Sequence, residues 1–378
     1  MLKWHFSNRK VTYKPSPSQD VLPSVHTRHL VTTIVWYLSP IRRLRMTTLL
    51  GAYFSLRCSR IDLSRLHFIK SKARVFTMAI RPISDAAIEK AAASIHQPRD
   101  PNTLSNYNAF KTKHTKASLE IDFAAKRLKG VVDLTLQKLS KSESKIVLDT
   151  SYLDVSSVHV SGEKAKYELA SSRTEPYGSP LTIELDSKHD SADEVTLSIH
   201  CQTTKDCTAL QWMEPSQTSN KKHPYMFSQC QAIHARSIFP CQDTPDVKST
   251  FSFHLRSSLP VLASGLPAGA TDFQPGKGGQ PGTLLYTFEQ KIPMPSYLFA
   301  IASGDLACAS IGPRSTVWTG PEELVDCKWE FEADTEQFIE KAEKLVYPYA
   351  WGTYNILVLP PSFPYGGMEN PYVAFAHS

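Results

Sequence analysis
Apolar and polar residues alternate through the middle of the chain. Ala117, Leu119, Ile121 and Phe123 alternate with Ser118, Glu120 and Asp122, and Val132, Leu134 and Leu136 alternate with Asp133, Thr135 and Gln137. A period of two is that of a half-buried strand. Lys129-Gly130 is the turn expected between the two runs. The same period returns at residues 181–185, 195–199 and 251–255, with Gly-, Pro- and Ser-rich segments between, notably 265–282. Residues of about 100–305 therefore read as an antiparallel β-sandwich or saddle, within a first domain placed at 78–305.

After Gly304 the period changes. Asp334-Thr335-Glu336-Gln337 opens a helix with Phe338, Ala342, Leu345 and Tyr349 on one face, and residues 354–359 then read as a strand. Helix followed by strand predicts the start of an α/β domain over 306–378, so the chain as a whole is mainly β. Ahead of the sandwich, residues 84–93 form a short predicted helix with Ser84 as N-cap.

Composition is ordinary, but charge is unevenly distributed along the chain. The chain of 378 residues is 41% hydrophobic and 21% charged, ordinary globular values, with a net charge of +6. Residues 1–77 hold 14 Lys/Arg and 2 Asp/Glu, leaving 28 basic and 34 acidic residues beyond. The basicity thus belongs to the leader and implies no nucleic-acid binding. That leader reads as a disordered extension, with a mitochondrial transit peptide as the alternative. Its longest apolar run, residues 30–38, falls short of the roughly 20 residues that span a bilayer. Seven scattered cysteines without a Cys-x-x-Cys pair, and no Asn-x-Ser/Thr sequon, point to a reduced compartment, cytoplasmic or nuclear.

Two stretches carry candidate chemistry. In Tyr365-Gly366-Gly367-Met368-Glu369-Asn370, adjacent glycines leave the backbone unshielded two residues before a carboxylate. One reading is an edge strand that pairs with an extended peptide while Glu369 meets an ammonium group. The other, favoured by spacing alone, is a hairpin turn closed by Asn370-Pro371 with Glu369 solvated. In the stretch 227–245, Gln229 and Gln231 fall two apart, so on a strand both amides face one side and could hold a peptide. The alternative is buried glutamines tied to backbone. Cys230, His234 and Cys241 have spacings of 4 and 7, which match no ordinary zinc pattern, so a satisfied histidine is expected there.

Together these strings resemble a known family. Gly366-Gly367-Met368-Glu369-Asn370 is similar to the Gly-x-Met-Glu-Asn exopeptidase motif of the aminopeptidase N-like zinc peptidases. The stretch 229–244, with Ala209-Leu210-Gln211-Trp212 and residues 360–365, resembles the leukotriene A4 hydrolase branch, and residues 100–107 resemble its fungal members. The resemblance implies a saddle-like β domain followed by a thermolysin-like catalytic domain. It implies zinc-dependent release of N-terminal residues from peptides, with opening of a lipid epoxide as a further activity of animal homologues. By this resemblance Glu369 binds the free α-amine, Gly366, Gly367 and Met368 belong to the peptide-contacting strand, and Gln229, Gln231 and Tyr365 line the pocket.

The family's His-Glu-x-x-His zinc helix lies downstream of this motif, and the sequence ends at His377-Ser378. The expectation is a truncated member, inactive by itself, with zinc belonging to the full-length protein and no metal ligand in this chain. The alternative is a non-catalytic β-sandwich module that binds peptide ends or protein partners.

Overall fold
A computed structural model describes residues 99–272 and 281–378. The basic leader and the predicted helix at 84–93 lie outside the described residues. The described residues fall in one compact unit, built mainly of strands in four sheets.

The strands are β1 (Phe110–Asp122), β2 (Arg127–Lys138), β3 (Lys145–Thr150), β4 (Leu153–Val160), β5 (Glu163–Lys164), β6 (Tyr167–Leu169), β7 (Ser179–Glu184), β8 (Glu194–Thr203), β9 (Leu210–Met213) and β10 (Tyr225–Ser228). They continue as β11 (Lys248–Ser257), β12 (Val261–Ala263), β13 (Leu266–Asp272), β14 (Leu284–Pro295), β15 (Ile301–Ser303), β16 (Ala307–Ser310) and β17 (Ser315–Thr319). Two helices, α1 (Leu324–Glu332) and α2 (Thr335–Leu345), precede β18 (Tyr354–Leu359), β19 (Gly367–Met368) and β20 (Ala374–His377).

An eight-stranded sheet runs β13-β14-β11-β1-β2-β8-β4-β5, a four-stranded one β12-β15-β10-β9 and a three-stranded one β3-β7-β6. The alternating residues behave as their period dictates. Ala117, Leu119 and Ile121 of β1, Val132, Leu134 and Leu136 of β2 and Val195, Leu197 and Ile199 of β8 all lie in one core with Phe251, Phe253 and Leu255 of β11. Residues from the other sheets, among them Leu148, Ile183, Phe227 and Ile301, join the same core.

Several expectations are corrected. The large sheet is not wholly antiparallel: β1 pairs with β11 in parallel, Ala117 opposite Phe253. The β1–β2 turn is at residues 123–126, with Lys126 at φ 50°, and not at Lys129-Gly130. Gly130 instead lies within β2 opposite Leu119, where the Ser118 carbonyl oxygen comes within 2.0 Å of the place a Cβ would take. Residues 266–272, expected as part of a loop, form edge strand β13.

The chain then enters a five-stranded sheet of order β16-β17-β18-β20-β19, in which β17, β18 and β20 run parallel. β18 is buried on both faces, as parallel strands are. Leu357 and Leu359 join the main core, whereas Ile356 and Val358 pack with Ile311 and Val317 beneath Leu324, Cys327 and Phe331. Helix α2 begins where expected, but its buried residues are Thr335 and Ile339. Leu345, placed on the apolar face by spacing, is 84% exposed. Leu345 is the last residue of α2, and Arg314 holds Glu336 and Glu343 of the same helix at 2.9 Å each.

Candidate functional site
The two candidate stretches meet. β10 carries Phe227 and Ser228 and then hands over to Gln229, whose amide nitrogen bonds the Ala209 carbonyl at 2.8 Å. Past Ser228 the chain leaves the sheet and enters a 3-10 turn at Ala235–Ser237. Gln229 and Gln231 therefore do not share a strand, and the period-two argument for them fails. Arg236 in this turn folds back on Asp243, seven residues on: Nε donates to Asp243 Oδ2 at 3.0 Å, with both side chains 1% exposed.

That fold-back still brings both glutamines to one place. Thr208, Leu210, Phe227, Gln229, Gln231, His234, Pro364 and Tyr365 line an open cleft of ≈ 270 Å³. Phe363, 2% exposed, supports it with its ring centroid 5.8 Å from Phe227 and 6.0 Å from Tyr365. A larger cleft of ≈ 290 Å³ beside Tyr225, Asp305 and Glu323 is lined by Pro360 and Pro361 of the 360–365 string but by none of the candidate peptide-binding residues.

Tyr365 leads directly into β19, an edge of the five-stranded sheet. Gly367 and Met368 pair antiparallel with Ala376 and Phe375 of β20, and the His377 amide donates to the Gly366 carbonyl at 3.3 Å. Gly366, Gly367 and Glu369 are exposed, whereas Met368 and Asn370 are buried. Met368 pins the strand to the cleft, its Sδ accepting from Gln229 Nε2 at 3.5 Å. A turn follows, with the Asn370 amide on the Met368 carbonyl at 3.0 Å. Edge strand and turn, alternatives from spacing alone, thus coexist.

Glu369 has no ion pair or hydrogen bond among the described residues, and its negative charge helps burial raise the Tyr297 phenol above its usual range. Gln229 Oε1 and Asn370 Nδ2 are buried without a partner among the described residues. His234, expected as a satisfied histidine, has Nδ1 2.8 Å from Thr208 Oγ1, and burial lowers its pKa. Sequence reasoning left Thr208, Leu210, Phe227 and Pro364 out of the cleft's lining.

The zinc that the resemblance implies does not fit these residues. Among the described residues no three His, Cys, Asp or Glu side chains converge closely enough to hold a metal. Burial pushes the Cys230 and Cys241 thiols well above their usual range, the reverse of what a thiolate ligand needs. No helix among the described residues is long and apolar enough to cross a membrane.

Comparison with known proteins agrees with this architecture. The Peptidase M1 N-terminal domain matches residues 105–298. A leukotriene A-4 hydrolase homolog of Botryotinia fuckeliana is 62% identical over 285 residues, which cover 75% of this chain and 44% of that protein. Leucine aminopeptidase 2 of Sclerotinia sclerotiorum is 62% identical over 280 residues, 74% of this chain and 46% of the relative. Yeast leukotriene A4 hydrolase in complex with bestatin superposes with a TM-score of 0.69 at 48% identity, over 77% of this chain and 44% of that one. Aminopeptidase A of Legionella pneumophila, 15% identical with a TM-score of 0.59, shares the fold. The chain thus spans less than half the length of the relatives it matches. With a β architecture matched over more than half its length by this domain and close fungal relatives beside it, the chain belongs to the M1 peptidase family, of which it carries the N-terminal domain.

Proposed function
We propose that this chain supplies the peptide-end recognition of a zinc aminopeptidase of the leukotriene A4 hydrolase type. In this reading Glu369 captures the free α-amine, and the open edge of β19 at Gly366 and Gly367 pairs with the peptide backbone. Gln229, Gln231 and Tyr365 line the adjoining cleft. The observation that carries the reading is the placement of β19, an exposed Gly-Gly edge strand pinned by Met368 to a cleft containing both glutamines.

The chemistry suits the task. An unpaired edge supplies main-chain hydrogen bonds without regard to sequence. A carboxylate with no internal cation discriminates an ammonium from an amide through a charge-assisted bond. In this reading the residues described here hold and orient the peptide.

Hydrogen exchange on the 378-residue chain tests the strand pairing. A peptide with a free N-terminus slows exchange across residues 366–369, and its N-acetylated counterpart does so much less. Unchanged exchange at 366–369 under saturating peptide, or equal protection by both peptides, contradicts the reading.

A further inference from the structure
We propose that His234 is a binding residue of this cleft, its Nε2 a preset acceptor for an N–H of the bound peptide. The assignment follows from counting protons. Ser237 Oγ donates to the His234 carbonyl at 2.8 Å and accepts the Ala209 amide at 3.1 Å, so it can only accept from Thr208. Thr208 Oγ1 accordingly donates its single proton to Ser237 Oγ at 3.3 Å. The 2.8 Å contact between Thr208 Oγ1 and His234 Nδ1 then requires the hydrogen to sit on Nδ1. In a neutral ring the other nitrogen is an acceptor.

His234 lines the cleft, and Nε2 has no partner among the described residues. The ring's neutral state has its own support. Burial lowers its pKa, while the Asp243 carboxylate raises it and the Arg236 guanidinium lowers it further. On the same wall Gln229 commits its amide nitrogen to Met368, leaving Oε1 unpartnered. Leu210, Phe227 and Pro364 supply an apolar side, and no Lys or Arg lines the cleft. The combination suits an apolar body with an N–H at one end. That N–H has two sources in a peptide: the backbone amide of the second residue or a donor on the first side chain.

This inference rests on the aminopeptidase reading, and the experiment separates the two. Calorimetry on the full chain compares Leu-Ala-Ala, its analogue N-methylated at the second residue, and Asn-Ala-Ala, whose first side chain matches leucine in shape. In the wild type, either N-methylation weakens binding about three- to tenfold, the size of one accessible hydrogen bond, or asparagine strengthens it by as much. The first outcome assigns the backbone amide and the second the side chain. His234→Phe, which keeps a ring and removes the acceptor, abolishes that difference. His234→Phe binding all three peptides with wild-type differences overturns the inference, as does equal affinity for all three in the wild type. If no free-amine peptide binds, both readings fall. Should His234→Phe not fold, 15N spectra of the wild-type imidazole decide, because a hydrogen on Nε2 at neutral pH contradicts the assignment.

Discussion
Replacing Arg236 with methionine isolates the ion pair that shapes the cleft. The guanidinium is 1% exposed and all of its polar edges are used: Nε meets Asp243 Oδ2 at 3.0 Å, Nη1 the Tyr177 carbonyl at 2.7 Å, and Nη2 the carbonyls of Asn102 and Asp243 at 2.8 and 3.0 Å. Asp149 lies 3.6 Å from Nη1. Removing one partner of a buried pair costs about 3–5 kcal/mol, because the other charge stays uncompensated. Here the two acids differ in what remains. Asp149 keeps the Leu104 and Asp243 amides at 2.6 and 2.9 Å, and Asp243 keeps Ser296 Oγ at 2.6 Å and the backbone amide at position 236 at 3.1 Å. These surviving donors place Arg236→Met at the lower end, about 3 kcal/mol. Urea unfolding followed by tryptophan fluorescence reads the loss as a shift in midpoint at unchanged slope. Arg236→Met/Asp243→Asn should lose less than the sum of the two single changes, since the stranded charge is gone. A loss below about 1 kcal/mol for Arg236→Met would refute the argument that this pair holds the turn.

Two further outcomes follow from the packing and the titrating groups. Phe363→Ala removes a buried ring that touches Phe227, Tyr365 and Phe375, so it should cost about 3–5 kcal/mol in the same unfolding assay and loosen the cleft wall; a loss under about 1 kcal/mol counts against that support role. His114 and His254 have pKa values held below about 6.5, chiefly by burial, with Lys116 lowering both and Glu289 raising both, and Asp133 also raising that of His254. The unfolded chain then binds more protons than the folded one between those folded values and 6.5, so both histidines subtract stability as pH falls through that window. NMR titration of their ring protons should show both midpoints below 6.5, and a midpoint above it for either ring refutes the sign.

Much of the fold is legible because period-two patterning records which side of a strand is buried. Leu134, Leu136, Leu197 and Phe253, assigned inward by alternation alone, are fully buried. The parallel β1–β11 pair escapes such reading, since alternation says nothing of a partner more than a hundred residues away. Gly130 misled because glycine marks close backbone approach as readily as a turn, and here it admits the Ser118 carbonyl. Leu345 misled because it is the last residue of α2, where spacing along a helix says least about burial.

The candidate site divides in the same way. Gly366, Gly367, Gln229 and Tyr365 were recognisable from strings of residues, yet the two stretches meet through contacts such as Met368–Gln229 and Phe363–Phe227, more than a hundred residues apart, which no local pattern announces. Thr208 joins the cleft through hydrogen bonds to His234 and Ser237, residues more than twenty positions away. Their sequence signal is weak because a threonine before a strand is ordinary.

In the proposed function Glu369 selects a free peptide N-terminus. Its most direct test is the ratio of affinities for a free-amine tripeptide and its N-acetylated form, measured by calorimetry on the 378-residue chain and on Glu369→Gln. A charge-assisted bond contributes about 1.5–3 kcal/mol, so the wild type should prefer the free amine about 10- to 150-fold. Glu369→Gln, isosteric and uncharged, should bring that ratio close to one while leaving the acetylated peptide's affinity unchanged. A wild-type ratio near one, or a preference that survives in Glu369→Gln, contradicts the account.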